Sequence, residues 1–258
     1  VNKGVQSMVS ELIQNSVDMG AGRISIEISE EHMTFTHDGS NDDGTIFTPK
    51  QLSYLFSMNT STKMGDFTKI GQFGVGFKYW WWFFEEVEVI VDDGKFHHNL
   101  SLTWDFEPHK TEYTYKASND TDASFTKFVF TKPRKDKTQK VKWTEYVKNE
   151  GTDIYGERVF RSLPFIQSRT GSDFEINLKS PITTSKLFCK LKNSENCDGF
   201  VLDTIEWGRS KGSEEPEIST NYRVSTNLNE LKKSDKSNFD KFRNYVIDAY
   251  RDSKTLQK

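Results

Sequence analysis

Two stretches of the sequence decide the fold: GQFGVGFK, from Gly71 to Lys78, and SELIQNSVDMG, from Ser10 to Gly20. The three glycines of the first stretch can adopt positive φ and let backbone N–H groups approach a phosphate closely. Residues 77–84 follow as the predicted start of a helix, whose N-terminal amides favour an anion. Such a loop taken alone fits an ordinary turn between strand and helix equally well.

The second stretch lies in a segment, Val5 to Met19, that has the pattern of an amphipathic helix. Its buried face is formed by apolar residues at helical spacing: Val5, Val9, Leu12 and Ile13. At 100° per residue, Glu11, Asn15 and Asp18 fall within about 60° of one another on a different face. By itself this row fits a solvated face. We expect the helix to stop at the glycines that follow it.

The remaining pattern predicts an α+β protein. Alternating apolar residues indicate strands at 23–28, 33–36, 87–91, 96–104, 112–116 and 125–130. A short helix at 48–55 and a long polar connection at 57–70 precede the glycine loop, and connections of this length are often lids. We expect helices on one face of a mixed, mostly antiparallel sheet, which gives a two-layer α/β sandwich over residues 1–131.

The second half predicts a smaller α+β domain, residues 132–258, with a boundary uncertain by about ten residues. It opens with the basic segment 132–142, interpreted as a solvated linker in preference to a nucleic-acid contact because no aromatic residues interleave with the charges. Strand-like segments follow at 173–178 and 199–207, and a final amphipathic helix is predicted at 239–250.

Composition excludes several classes of protein. A net charge of −3 does not indicate nucleic acid or a membrane surface as partner. The longest apolar run, 79–84, is far shorter than the ~20 residues of a membrane helix. Cys189 and Cys197 form neither a metal motif nor a disulfide framework, so we expect reduced thiols and a cytoplasmic location. The start at Val1 rather than methionine is consistent with a piece of a longer protein.

Together the two stretches closely resemble motifs of the GHKL ATPase superfamily, named for gyrase, the ninety-kilodalton heat-shock chaperones, histidine kinases and MutL. ELIQNSVDMGA resembles the ELxxNxxDA motif, and GQFGVGFK resembles the GxxGxG motif. The resemblance covers roughly residues 1–131 and is greatest to the chaperone-like, sacsin-like and microrchidia-like branches. It implies the GHKL fold, with ATP and Mg²⁺ as ligands.

The resemblance also implies a role for each matching residue. Asn15 would hold Mg²⁺ through its amide oxygen, and Glu11 would orient and deprotonate the attacking water. Asp18 would border the nucleotide pocket. The glycine loop would contact the phosphates through Gly71, Gln72, Phe73, Gly74, Val75, Gly76, Phe77 and Lys78.

The motif that reads adenine departs from the usual DxGxG pattern, because the second predicted strand runs into FTHDGSNDDG. We prefer Asp38, with Gly39, as the acceptor for the adenine amino group. The alternative register places His37 there, and a neutral histidine can also accept through one ring nitrogen. In the predicted lid, Lys63 is a candidate phosphate contact, with a solvated lysine as the alternative. Arg158, Arg161 and Arg169 are candidates for a basic residue lent by the second domain.

The resemblance implies an ATPase whose turnover opens and closes a homodimer; it identifies no client. A nucleotide-binding interaction module with little hydrolysis is the alternative. A histidine kinase is less favoured, because no helix pair precedes the first motif and because Glu11 supplies an acidic residue for hydrolysis.

Overall fold

A computed structural model describes most of the chain. The described residues are 2–40, 76–103, 110–120, 124–135, 143–150, 160, 163, 167, 173–182, 184–197, 200–224, 240, 241, 243 and 244. They belong to two compact units, of which the first is Val1–Cys189 with Trp207–Ile218 and the second is Lys190–Glu206 with Ser219–Lys258. The domain boundary predicted near residue 131 stays a prediction.

Ten strands and three longer helical segments are described. The helical segments are α1 (Asn2–Asp18), a 3-10 helix (Gly76–Trp82) and α2 (Trp143–Glu150). The strands are β1 (Arg23–Ile28), β2 (His32–His37), β3 (Phe84–Asp92), β4 (Phe96–Thr103), β5 (Lys110–Ala117), β6 (Phe125–Pro133), β7 (Phe174–Lys179), β8 (Thr184–Cys197), β9 (Phe200–Lys211) and β10 (Glu217–Val224).

The sheet is mixed and mostly antiparallel, as predicted. The hydrogen-bonded order of strands in the first unit includes the run β8-β7-β1-β2-β6-β3-β4-β5, to which β8 contributes its residues up to Cys189. β1 runs parallel to β7 and antiparallel to β2. The pairs β2–β6, β3–β6, β3–β4, β4–β5 and β7–β8 are antiparallel. This sheet with few helices confirms the α+β class.

One face of the sheet forms the core because apolar residues alternate along each strand. In β1 and β2, Ile24, Ile26 and Ile28 lie opposite His37, Phe35 and Met33. The same face continues through buried residues of the next two strands: Phe128, Phe130, Val87, Val89 and Val91. The apolar stripe of α1 is also buried, from Val5 to Val17. The alternation therefore predicted correctly which residues face inward.

The aromatic run at 79–84 differs from its prediction. The expected helix through residue 84 is a 3-10 helix that ends at Trp82, and β3 already begins at Phe84. Phe84 pairs with Pro133 of β6 and packs on Phe130 and Trp143, with ring centroids 5.7 and 4.7 Å away. Sheet pairing and aromatic packing thus end the helix two residues early.

The prediction of a solvated linker from residue 132 is wrong for Arg134. This residue is buried, its backbone N–H donates to the Phe83 carbonyl, and its Nε donates to the Trp81 carbonyl at 2.5 Å. The start of the basic segment is therefore attached to the end of the aromatic run. β8 and β10 were not predicted.

Other predictions fall partly or wholly outside the described residues. The predicted helix at 48–55 and the predicted lid at 57–70 lie outside them. In the predicted C-terminal helix, positions 240, 241, 243 and 244 are helical. No helix among the described residues has the length and apolar character needed to cross a bilayer.

Candidate functional site

The predicted polar row lies on one continuous helix. Glu11, Asn15 and Asp18 occupy α1 at successive turns, and the helix is unbroken from Asn2 to Asp18. Glu11 and Asn15 are half-buried, whereas Asp18 is 4% exposed. The positions between them, Leu12, Ile13 and Val17, are buried, and these anchor the helix. The helix therefore holds a carboxylate and an amide one turn apart, beside a buried acid.

The C-terminus of α1 is closed by a Schellman motif. Gly20 has φ of 73°, its N–H donates to the Val17 carbonyl at 2.9 Å, and the Ala21 N–H donates to the Ser16 carbonyl at 3.0 Å. This geometry favours glycine because a Cβ is strained at positive φ. The predicted glycine stop is confirmed, and it fixes the direction in which the chain leaves the helix beside Asp18.

The turn after β2 lies against this helix end. A Cβ on Gly39 would lie 2.9 Å from the carbonyl oxygens of Ser16 and Met19 and 3.0 Å from the Ala21 nitrogen. Only glycine allows so close an approach without a shift of backbone. The end of the helical motif and the turn that contains Gly39, some twenty residues later in the sequence, therefore meet at this contact.

Asp38 holds the same turn to the start of β1. Its Oδ1 accepts hydrogen bonds from the backbone N–H groups of Gly22 and Arg23, both at 2.9 Å. Its Oδ2 accepts from Arg23 Nε at 3.0 Å, in an ion pair whose arginine is largely exposed. Both carboxylate oxygens of Asp38 are thus engaged by the chain itself. Gly22 and Arg23 were not predicted as its partners, because the sequence does not show which backbone groups lie beside the turn.

His37 is the last residue of β2 and lies on the core face, 4% exposed. Its ring stacks on Phe128 with centroids 6.5 Å apart and meets Phe35 edge-on at 6.4 Å. Nδ1 accepts a hydrogen bond from the Gly39 N–H at 3.1 Å. A neutral ring that accepts at Nδ1 carries its hydrogen at Nε2, so the second nitrogen is a donor.

The 3-10 helix that begins at the end of the glycine stretch packs against the same helix, α1. Gly76, Phe77 and Lys78 are its first residues. Near the start of α1, a Cβ on Gly4 would lie 3.0 Å from the ring of Phe83. Helix α1 therefore contacts the turn after β2 at its C-terminal end and also packs against the 3-10 helix.

Several candidate residues lie outside the described part of the chain. These are Lys63, the loop positions Gly71, Gln72, Phe73, Gly74 and Val75, and the three arginines Arg158, Arg161 and Arg169. Their roles stay predictions. No group of three or more His, Cys, Asp or Glu side chains within the described ranges is placed to bind a metal ion.

A family comparison identifies the class. Residues 3–139 match the family described as histidine kinase-, DNA gyrase B-, and HSP90-like ATPase. Because this match covers more than half of the chain, the chain belongs to this family, the GHKL ATPases. The predicted superfamily is confirmed, while the predicted branch stays a prediction. Members of this family bind ATP and usually hydrolyse it, so the comparison supports these activities for the family as a whole.

Solved structures resemble the chain at low identity. The ATPase region of Saccharomyces cerevisiae topoisomerase II bound to ICRF-187 (dexrazoxane) gives a TM-score of 0.44 at 15% identity, over 79% of this chain and 58% of that one. The N-terminal domain of a DNA repair protein gives a TM-score of 0.45 at 14% identity, over 78% of this chain and 66% of that one. The ATPase region of Saccharomyces cerevisiae topoisomerase II gives a TM-score of 0.42 at 15% identity, over 72% of this chain and 58% of that one. The chain thus covers less than two thirds of each. No curated protein sequence matches it.

Proposed function

We propose that this chain binds ATP together with Mg²⁺, hydrolyses it, and uses the cycle to open and close a homodimer. The observation that supports this most is the contact of Gly39 with the end of α1, because it joins the helix of the polar row to the turn that follows β2. The chain belongs to this ATPase family, and by the resemblance of their sequences to its motifs these two segments would be the first two motifs of the nucleotide site.

Glu11 and Asn15 have the chemistry that hydrolysis needs. Mg²⁺ is a hard cation that prefers oxygen ligands and keeps some of its waters, so the Asn15 amide oxygen fits as a single protein ligand. The ion would neutralise charge on the phosphates. Glu11, one turn earlier on the same face, would accept a proton from the attacking water. Their half-buried positions suit groups that contact a bound ligand.

The turn at residues 37–39 is proposed to contact the base. Because both oxygens of Asp38 hold Gly22 and Arg23, this carboxylate fits a role in shaping the turn. His37 becomes the candidate for the base contact through Nε2 as a hydrogen-bond donor, because its acceptor Nδ1 already receives the Gly39 N–H. Asp18, on the adjacent end of α1, would border the pocket. The glycine loop with Lys78, and Lys63 of the predicted lid, are proposed phosphate contacts.

ATP turnover and nucleotide affinity, measured on the same proteins, test the proposal. Glu11→Gln keeps the shape of the side chain and removes the base, so we expect turnover to fall by about 100-fold or more while ATP affinity stays within a few-fold. Asn15→Ala should weaken ATP binding in the presence of Mg²⁺ and much less in its absence. Gln6→Ala, on another face of α1, is the matched control and should change neither quantity.

The alternatives give different results. A wild-type chain that binds ATP tightly without turnover would support the interaction module. Transfer of labelled phosphate to protein would support the kinase. A chain that binds no nucleotide would overturn the proposal.

The switch is tested separately by sedimentation. If closure follows ATP binding, Glu11→Gln with ATP should contain more dimer than the same protein with ADP, because nucleotide is bound but not consumed. Equal dimer fractions in the two states would contradict the switch while leaving hydrolysis intact.

A further inference from the structure

Strand β5 is an open edge of the sheet. It stands last in the hydrogen-bonded order and pairs with β4 on its inner side, and residues 111–117 are all exposed. Among the described residues no strand lies on its outer side. An open edge presents backbone donors and acceptors to any further strand, and proteins commonly protect such edges by charges, bulges or pairing.

One face of this edge carries a cluster of aromatic side chains, which we call the edge cluster: Phe96, His98, Tyr113 and Tyr115. Tyr113 and Tyr115 stack with centroids 6.2 Å apart, and each also stacks on His98. The Tyr113 hydroxyl and His98 Nδ1 are hydrogen-bonded at 2.8 Å. Tyr113 and Tyr115 are nevertheless 48% and 67% exposed. An exposed surface of stacked aromatic side chains of this kind fits a further partner.

The other face of β5 carries opposite charges at equal distances from Thr114. The sequence EYTYK, residues 112–116, places Glu112 two residues before Thr114 and Lys116 two residues after it. A two-fold axis perpendicular to the sheet at Thr114 would pair two copies of β5 antiparallel and keep each face on its own side. Glu112 then lies opposite Lys116 of the second copy, and Tyr113 lies opposite Tyr115 of the second copy.

We propose that β5 pairs with β5 of a second copy of this chain in this register, joining the two sheets edge to edge. Two ion pairs then form on one face, and the two edge clusters become continuous on the other face. Cross-strand pairs of opposite charges and of aromatic side chains both stabilise sheets. A shift by two residues in either direction separates Glu112 from Lys116. A shift by one residue places side chains of opposite faces across from each other. Charge thus selects one register.

This contact does not depend on the proposed ATPase activity. The residues that form it are on β4 and β5, and none belongs to the candidate nucleotide site. The contact should therefore persist without nucleotide, whereas the proposed opening and closing should follow ATP. Measurements on nucleotide-free protein test the edge contact alone. The sedimentation test of the switch is made with Glu112→Lys added to Glu11→Gln, which removes the edge contact, so failure of either idea leaves the other intact.

Exchange of the charges is the decisive test. In nucleotide-free sedimentation equilibrium, Glu112→Lys and Lys116→Glu should each weaken self-association by about tenfold or more, because each variant sets like charges opposite each other. A mixture of the two single variants restores both opposite pairs, so it should associate about as strongly as wild type. Glu112→Lys/Lys116→Glu should also recover dimerisation. Far-ultraviolet circular dichroism verifies that each variant is folded.

Cross-linking measures the register directly. In Thr114→Cys the two cysteines would lie about 5 Å apart across the axis, within disulfide range, and oxidation should produce a covalent dimer. Thr111→Cys is the matched control, because its two copies would be roughly 20 Å apart along the strands and should not cross-link. A wild-type chain that is monomeric at about 1 mM overturns the proposal. A dimer unaffected by either charge reversal also overturns it.

Discussion

Gly39 and Ser16 are so close that a Cβ on Gly39 would lie 2.9 Å from the Ser16 carbonyl oxygen. That carbonyl already accepts the hydrogen bond from Ala21 that ends α1. The turn after β2 and the helix terminus therefore fit together only if residue 39 lacks a side chain. In a chain of the GHKL ATPase family, this contact sets the distance between two segments of the candidate nucleotide site.

Substitution of Gly39 should affect both stability and nucleotide binding. In Gly39→Ala the new methyl group meets backbone atoms that cannot rotate away, so we expect the free energy of unfolding to fall by about 1–3 kcal/mol. The turn must move off the helix, so ATP affinity should fall as well. Urea unfolding and equilibrium nucleotide binding measure the two effects.

Gly22→Ala is the matched control for this substitution. The nearest atom to a Cβ at that position, the Asp173 carbonyl oxygen, is 3.9 Å away, which is ordinary contact. Its stability should therefore stay within about 0.5 kcal/mol of wild type. Equal losses in Gly39→Ala and Gly22→Ala would show that the close approach to Ser16 does not constrain the turn.

Substitutions at positions 37 and 38 should separate the contact to the base from the support of the turn. In Asp38→Asn the ion pair with exposed Arg23 is lost while one acceptor for the backbone N–H groups remains. We expect a loss of about 0.5–1.5 kcal/mol in unfolding free energy and little change in ATP affinity. His37→Phe keeps an aromatic ring between Phe35 and Phe128 and removes both nitrogens. It should lower ATP affinity by about tenfold.

The reverse pattern would support Asp38, the residue preferred from the sequence, as the contact to adenine. If Asp38→Asn loses ATP affinity and His37→Phe keeps it, Asp38 reads the base despite its contacts with Gly22 and Arg23. The His37→Phe variant also removes the acceptor for the Gly39 N–H, so its unfolding free energy is measured in parallel. A variant that binds ATP normally but unfolds more easily assigns His37 to the turn alone.

Local patterns predicted much of the sheet and the end of α1. The alternation in RISIEI predicted that Ile24, Ile26 and Ile28 lie on one face of a strand, and all three are buried in the core. Gly20 was predicted to stop the helix because positive φ favours glycine, and its φ is 73°. Such features depend on near neighbours in sequence, so the sequence contains the information needed to predict them.

Features that depend on distant pairing were not predictable. Alternation identifies which residues of β1 face inward but not which strand lies beside it, and the parallel partner β7 begins some 150 residues later. His37 ends β2 opposite Ile24 of β1 and Thr126 of β6, so the partners available to it and to the next residue, Asp38, depend on that register. The contacts of Asp38 with Gly22 and Arg23 follow from that register.

Trp143, the first residue of α2, should stabilise the sheet although it follows the basic segment 132–142 in the sequence. Its Nε1 donates to the Ser29 carbonyl at 2.7 Å, and its ring, 1% exposed, packs on Phe84 and stacks on Tyr146. Trp143→Phe leaves the carbonyl without this donor and creates a small cavity, so the free energy of unfolding should fall by about 1–4 kcal/mol. Trp82→Phe, at a position 57% exposed, is the control and should cost far less. Equal costs would show that Trp143 contributes nothing specific.

Asp92 should make the β3–β4 turn sensitive to acid. Burial alone would raise the pKa of Asp92, but hydrogen bonds from His97, Ser118 and the Gly94 N–H outweigh it and hold the pKa below its ordinary value of 3.8. The geometry agrees, with His97 Nδ1 at 2.9 Å and the Gly94 nitrogen at 3.0 Å from the carboxylate. Because the folded-state pKa is lowered, the charged carboxylate favours the folded chain.

This stabilisation should be complete above the ordinary pKa of 3.8 and disappear as the pH falls through the lower folded-state pKa. Asp92→Asn keeps the shape and one acceptor but removes the charge. The unfolding free energy of wild type should therefore exceed that of the variant at pH 7, and the difference should narrow once the pH falls below 3.8. Urea unfolding at a series of pH values measures it. A difference that is constant with pH would assign the effect of Asp92 to packing, because only a titrating carboxylate makes it vary.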